Sequence, residues 1–185
     1  MNYDRHLYAG RPSEKRSERE EQCYDLLDRL GVSYFRVDHE HADTIEDCEL
    51  VEDLLGCRIC KNLFLCNRQQ TDFYLLLMPG QKPFKTKILS KQIGTSRLSF
   101  ADADHMRQYL GLEPGSVSVL GLMHDPNRQV RLLIDRELLQ DEFFGCHPCL
   151  NTSSLRIPTE DLTGKILPAL GHEPLPVDLP WVIEE

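Results

Sequence analysis

Apolar positions recur at helical spacing soon after Ser17. Cys23, Leu26, Leu27 and Leu30 fall on one face, and Gly31 follows them. This predicts an amphipathic helix that the glycine ends, opened by the capping box of Ser17 and Glu20. A strand follows at 34–37. A second amphipathic helix spans 44–55, with Asp43 or Thr44 as its cap and Gly56 as its stop. The pattern then changes to continuous apolar runs. Residues 63–66 and 73–78 flank the polar stretch 67–72, which predicts a hairpin. Short helices are expected at 86–93 and 101–110, and Glu113-Pro114-Gly115 is a turn. A second strand pair is expected from 116–123 and 130–134 around Asp125-Pro126-Asn127-Arg128. A helical turn at 136–140, a strand at 152–157 and a closing helix at 159–167 complete the pattern. Thr159-Glu160-Asp161 reads as the cap of that last helix.

Most strands are joined by tight turns. This favours a mixed, largely antiparallel sheet over a doubly wound parallel one. The expected architecture is a single α/β (α+β) domain over residues 17–172. A flexible arm at 1–16, broken by Gly10, Pro12 and Ser13, precedes it. A proline-rich tail at 173–185 lies extended on its surface.

The 185 residues are enough for one domain with a sizeable core, and 41% hydrophobic with 28% charged residues fits a soluble globular chain. No apolar run reaches membrane-span length. The polar first nineteen residues do not read as a secretory signal, so the expected compartment is the cytoplasm, with no membrane partner. The net charge of −9 argues against coating DNA or RNA by bulk attraction. A local strip of Lys82, Lys85, Lys87, Lys91 and Arg97 could still touch a few phosphates; as composition alone it reads as a solvated helix face.

Two segments concentrate candidate chemistry. Lys61 and Asn62 precede the apolar run 63–65. His147-Pro148 forms a bend followed by Asn151 and Thr152. A lysine at a strand start is either a solvated cation or, turned into a cleft, a point charge for phosphate or carboxylate. A histidine among asparagine, threonine and serines at a strand end is either structural or part of a pocket. The four residues Lys61, Asn62, His147 and Asn151 could together hold a small anionic or polar group if the fold joins them. Cys57-x-x-Cys60 and Cys146-x-x-Cys149 have zinc-knuckle spacing and admit a four-thiolate site. The alternative is buried thiols, and an odd total of seven cysteines suits reduced thiols. No phosphate-binding glycine loop, dinucleotide fingerprint or catalytic-triad motif occurs.

Five ordered segments carry a resemblance: 60–65 (Cys-Lys-Asn-Leu-Phe-Leu), 97–101 (Arg-Leu-Ser-Phe-Ala), 110–118 (Leu-Gly-Leu-Glu-Pro-Gly-Ser-Val-Ser), Ile134-Asp135, and His147-Pro148 with Asn151-Thr152. Together they resemble the YbaK/prolyl-tRNA-synthetase-associated domain, most closely its freestanding Ala-tRNA(Pro) deacylase branch, over about residues 20 to 170. The resemblance implies a mixed, largely antiparallel, barrel-like sheet flanked by helices. It implies an enzyme, an aminoacyl-tRNA deacylase that removes a wrong amino acid from the 3′-terminal adenosine of tRNA(Pro). Lys61 would hold the terminal phosphate. Asn62 and His147 would shape the aminoacyl pocket. Gly115, Ser116, Val117 and Ser118, with Asn151 and Thr152, would line the substrate. The family loop usually ends in proline, where this chain has Val119. The neighbouring ribose hydroxyl of the substrate would assist, so the resemblance implies no protein nucleophile, no cofactor and no metal. The implied partner is the tRNA(Pro) acceptor end, with prolyl-tRNA synthetase as a second. Alternatives are a deacylase for serine, cysteine or 2-aminobutyrate, a non-catalytic tRNA- or synthetase-binding module, and a zinc-stabilised interaction domain.

Overall fold

The computed structural model describes residues 4–41 and 45–183, and of residues 45 and 46 the backbone alone. Two sheets form its frame. The first has the order β1-β2-β8-β7, built from β1 (Tyr8–Ala9), β2 (Phe35–Asp38), β8 (Ser153–Pro158) and β7 (Phe143–Cys146), all antiparallel. The second has the order β5-β3-β4-β6-β9. Here β3 (Cys60–Cys66) and β4 (Phe73–Pro79) make the expected hairpin, and β5 (Ser99–Phe100) adds to β3 antiparallel. β6 (Val130–Asp135) and β9 (Leu175–Val177) extend it in parallel. A parallel bridge between Ile59 and Gly145 brings the two sheets together. A Cβ on Gly145 would stand 2.4 Å from the Arg58 carbonyl oxygen, so only glycine permits this approach.

Alternation along β3 decides the layering. Cys60, Phe64 and Cys66 face the large core, shared with Leu75, Leu77, Leu132, Leu155 and Ile157 and covered by α1 (Glu18–Arg29). Leu65 faces the opposite side with Leu76, Met78 and Leu133, under α3 (Thr86–Gln92). With both faces covered, every residue of β4 is buried, which is why that strand reads as an unbroken apolar run. A smaller cluster of Val37, Val51, Leu55 and Ile59 lies beneath α2 (Ile45–Leu55).

The α1 capping box forms in both halves, and Gly31 sits at φ +63° beyond the helix end. The cap expected at Asp43 or Thr44 lies outside the described residues. α4 (Ala103–Leu110) starts two residues later than its apolar pattern suggests, because the Asp102 carboxylate accepts from the His105 N–H and caps it.

The second hairpin does not form. Val119–His124 is a 3₁₀ helix, and β6 pairs in parallel with β4, Leu75 opposite Leu132. Ser118 caps the 3₁₀ turn by accepting from the Leu120 N–H, and Val119, Leu120 and Leu122 all reach the large core from it. The closing helix also differs. No side chain caps it; α5 (Thr159–Asp161) runs through a π-helical segment, Leu162–Ile166, into α6 (Leu167–Leu170). Pro168 has no N–H to donate to the preceding turn, which accounts for the irregular register before it. At the start of the chain, β1 pairs with β2, and Arg11 bridges to Glu21, Asp25 and Asp28 of α1. At the other end the tail is extended, and β9 makes it the edge of the five-stranded sheet. No described helix is long and apolar enough to cross a membrane.

Candidate functional site

Lys61 and Asn62 are neighbours in sequence but leave β3 on opposite faces. Lys61 lies across from Met78, and Asn62 across from Leu77, so the first shares the α3 side and the second the large-core side. The four polar residues expected around one group therefore do not share one face. β5 pairs only with Leu65 and Cys66, and Ala101 N–H donates to the Phe64 carbonyl. Between Phe64 and the Ile59 bridge, no described strand covers this edge of β3, and a ligand there can reach both faces.

The Lys61 ammonium donates to the Lys82 carbonyl at 3.1 Å. It is half-buried, forms no ion pair with a described residue, and burial lowers its pKa from the usual lysine value. Lys82 behaves differently. It is buried, and its ammonium reaches Asp135 at 2.8 Å and Glu137 at 3.2 Å. Trp181 covers this pair, with its ring centroid 5.4 Å from the Lys82 Nζ and its indole N–H donating to Glu137. Lys82 thus leaves the solvated basic strip expected from the sequence, and its carbonyl seats Lys61 instead.

On the other face, the Asn62 amide donates to the Cys60 carbonyl at 3.1 Å and accepts from the Cys60 thiol. Beyond the Ile59–Gly145 bridge lies the His147 bend. Its Nδ1 stands 2.9 Å from the Ser153 carbonyl, which can only accept, so Nδ1 carries the proton. His39 is fixed likewise by the Glu40 carbonyl at 2.6 Å, and the Ser154 hydroxyl then donates to His39 Nε2 at 2.8 Å. The same hydroxyl lies 3.3 Å from His147 Nδ1, and the two imidazole centroids are 6.1 Å apart. Among the described residues nothing hydrogen-bonds to His147 Nε2, which is left as an acceptor.

The Ser118 hydroxyl donates to the His147 carbonyl at 2.6 Å, tying the 115–118 loop to this bend. That tie, together with the buried Val119 beginning the 3₁₀ turn, fixes the loop at the position where the resemblance implied a proline. Gly115 is exposed at φ +87°, Val117 packs on the large core, and Ser116 donates to the Glu113 carbonyl. Asn151 is buried in the bend, and the Thr152 carbonyl accepts from the His39 N–H. Sequence reasoning missed His39, which follows a short strand and is paired in sequence only with His41, a spacing that marks no site. The cysteines are free thiols, with Cys60, Cys146 and Cys149 buried. No group of three or more His, Cys, Asp or Glu arranged to hold a metal occurs among the described residues.

Burial pushes the His147 imidazole down to about 4. The unfolded chain therefore takes up a proton near pH 6.5 that the folded chain refuses until about pH 4. His147 consequently removes stability as pH falls through that window, by up to about 3 kcal/mol. Nitrogen-15 imidazole spectra at pH 5.5 are expected to show His147 as the neutral Nδ1–H tautomer. An imidazolium signature there would overturn the assignment.

Comparisons with known proteins converge on one family. The aminoacyl-tRNA editing domain matches residues 39–164. The prolyl-tRNA editing protein ProX of Acetoanaerobium sticklandii is 32% identical over 146 residues, covering 79% of this chain and 88% of that protein. Prolyl-tRNA synthetase associated domain-containing protein 1 of Danio rerio is 28% identical over 169 residues, covering 90% and 89%. Two solved structures share the fold. One, a candidate trans-editing enzyme for prolyl tRNA synthetase, aligns with TM-score 0.64 at 17% identity over 89% of this chain and 98% of its own. The other, a scaffold for grafted epitopes, aligns with TM-score 0.66 at 18% identity over 89% and 97%. With the editing-domain match spanning most of its length, the chain belongs to the aminoacyl-tRNA editing domain family, a family of deacylases.

Proposed function

We propose that this deacylase acts in trans on mischarged Ala-tRNA(Pro), with Lys61 holding the phosphate of the 3′-terminal adenosine. One observation carries the assignment of the anchor: Lys61 is a half-buried cation with no carboxylate partner among the described residues, at an uncovered edge of β3. An anion arriving there gains a charge-assisted hydrogen bond without displacing an existing ion pair. The prolyl-tRNA names of the relatives supply the nucleic acid.

Hydrolysis needs a fixed ester, a positioned water and donors for the developing oxyanion. Lys61 fixes the terminal phosphate on one side of the strand. Asn62 lies on the other, and the neutral His147, in the bend beyond the Ile59–Gly145 bridge, can accept a hydrogen bond at Nε2 from the substrate amine or from water. Water attacks the ester carbon, and the ribose oxygen leaves with a proton as a hydroxyl group. Gly115, Ser116, Val117 and Ser118, with Asn151 and Thr152, close the aminoacyl side. The enzyme selects by size, since a synthetase pocket built for proline cannot strongly reject alanine. The partner is the tRNA(Pro) acceptor end. Prolyl-tRNA synthetase is the source of the error, and the cytoplasm is the place of action.

The test compares deacylation of Ala-tRNA(Pro) and Pro-tRNA(Pro). Alanine is expected to be released rapidly and proline retained. Stable Ala-tRNA(Pro), with loss of serine, cysteine or 2-aminobutyrate from tRNA instead, would overturn the choice of substrate.

A further inference from the structure

Residues 73–101 contain no aspartate or glutamate, in a chain with 30 of them. The same stretch carries Lys82, Lys85, Lys87, Lys91 and Arg97. Lys82 is neutralised by Asp135. The other four are exposed, and none forms an ion pair with a described residue. Cations elsewhere are commonly paired, as Arg11, Arg36, Arg58, Arg107, Arg136 and Lys165 are. The fold also gathers these four charges. Lys87 and Lys91 sit four residues apart on α3, and the Ser90 hydroxyl accepts from the Leu98 N–H, which draws Arg97 to the same helix.

An aromatic side chain stands beside them. Phe100 is 63% exposed, with its ring 6.4 Å from that of Phe84 at 71°. Its partner across the strands is Leu65, so Phe100 projects from the same face as Leu65 and Lys61. Lys61 and Leu65 are four residues apart along β3, about 13 Å along the sheet. An exposed ring flanked by unpaired cations is how single-stranded nucleic acid is held: bases stack on the ring while the cations follow the phosphates.

We propose that Phe100, with Lys85, Lys87, Lys91 and Arg97, forms a track for RNA that receives the unpaired 3′ end and adjoining stem of the substrate as it leaves Lys61. The track rests on the reading of Lys61 as the terminal anchor and extends it outward by a few nucleotides. It also explains how a chain of net charge −9 takes a polyanion. Repulsion elsewhere favours contact along this stretch, whose own residues carry no acid; carboxylates of other segments stand beside it at Asp178, bonded to Gln92, and Glu49, bonded to Gln81.

The test uses the full chain with uncharged tRNA(Pro) and with an acceptor-stem minihelix, with and without its single-stranded 3′ end. Phe100→Ala is expected to weaken binding of the tailed minihelix about tenfold and to leave the blunt one unchanged. Replacing Lys85, Lys87, Lys91 and Arg97 together with alanine is expected to flatten the dependence of log affinity on log salt by about 3. Neither change should alter hydrolysis of alanine esterified to adenosine 5′-monophosphate, which keeps the phosphate for Lys61 but is too short to reach the track. Variants that bind both RNAs as the wild type does would overturn the track. So would variants that lose affinity for prolyl-tRNA synthetase but not for RNA. A wild type that binds tailed RNA through Phe100 but never releases alanine would uphold the track and refute the proposed reaction.

Discussion

Lys61→Ala is expected to lower kcat/KM for Ala-tRNA(Pro) by about 10- to 100-fold, the worth of one hydrogen bond to a charged group. The variant should fold, because Lys61 gives up only its bond to the Lys82 carbonyl and packs no core. Melting should therefore stay near that of the wild type. How the loss divides between KM and kcat reports what the anchor does. A rise in KM alone means that the phosphate is held equally in ground and transition states. A fall in kcat means that holding it aligns the ester. Lys61→Met keeps most of the stem without the charge and should resemble alanine. Lys61→Arg keeps the charge on a wider, planar group and should recover only part of the activity. Unchanged hydrolysis by Lys61→Ala would remove the anchor from the proposal.

What the sequence revealed about this site follows from which interactions are local. The capping box at Ser17 and the hairpin of β3 and β4 rest on residues close in the chain, and both were legible. The motif residues were legible too, since resemblance depends on order along the chain. Pairing across long separations was not. β6 looked like a hairpin partner of the segment before it, but its parallel register with β4 depends on both being buried on both faces, which an apolar run does not disclose. The division of Lys61 from Asn62 follows from strand alternation once the strand starts at Cys60; a start placed at Leu63 hid it. His39 meets His147 through Ser154, 115 residues further along the chain, and through the approach of the two rings. Lys82 looked like the first member of a basic strip because its partner, Asp135, lies 53 residues away on another strand.

That partner makes the second large prediction. Lys82 and Asp135 are almost wholly enclosed, with Trp181 over the ammonium and the Asp135 carboxylate also accepting from the Glu137 N–H. Asp135→Ala leaves a buried ammonium facing only Glu137, which Arg58 already engages. The expected cost is about 3–5 kcal/mol. In a chain of this size it is read as a fall in melting temperature of roughly 6–20 °C. The damage should also reach the chemistry, because the loop that carries the Lys82 ammonium presents the Lys82 carbonyl to Lys61. Deacylation by Asp135→Ala should therefore fall even at temperatures where the variant is folded. The double replacement Lys82→Met with Asp135→Leu removes both charges together and should recover most of the stability, since a buried ion pair exchanged for apolar side chains is often neutral or better. If it also restores hydrolysis, the pair serves to position the loop that seats Lys61. If the double variant is stable yet as slow as Asp135→Ala, the charge of Lys82 itself takes part in holding the substrate. A melting temperature for Asp135→Ala within about 2 °C of the wild type, less than the shift for 1 kcal/mol, would show that the pair does not hold this end of the sheet together.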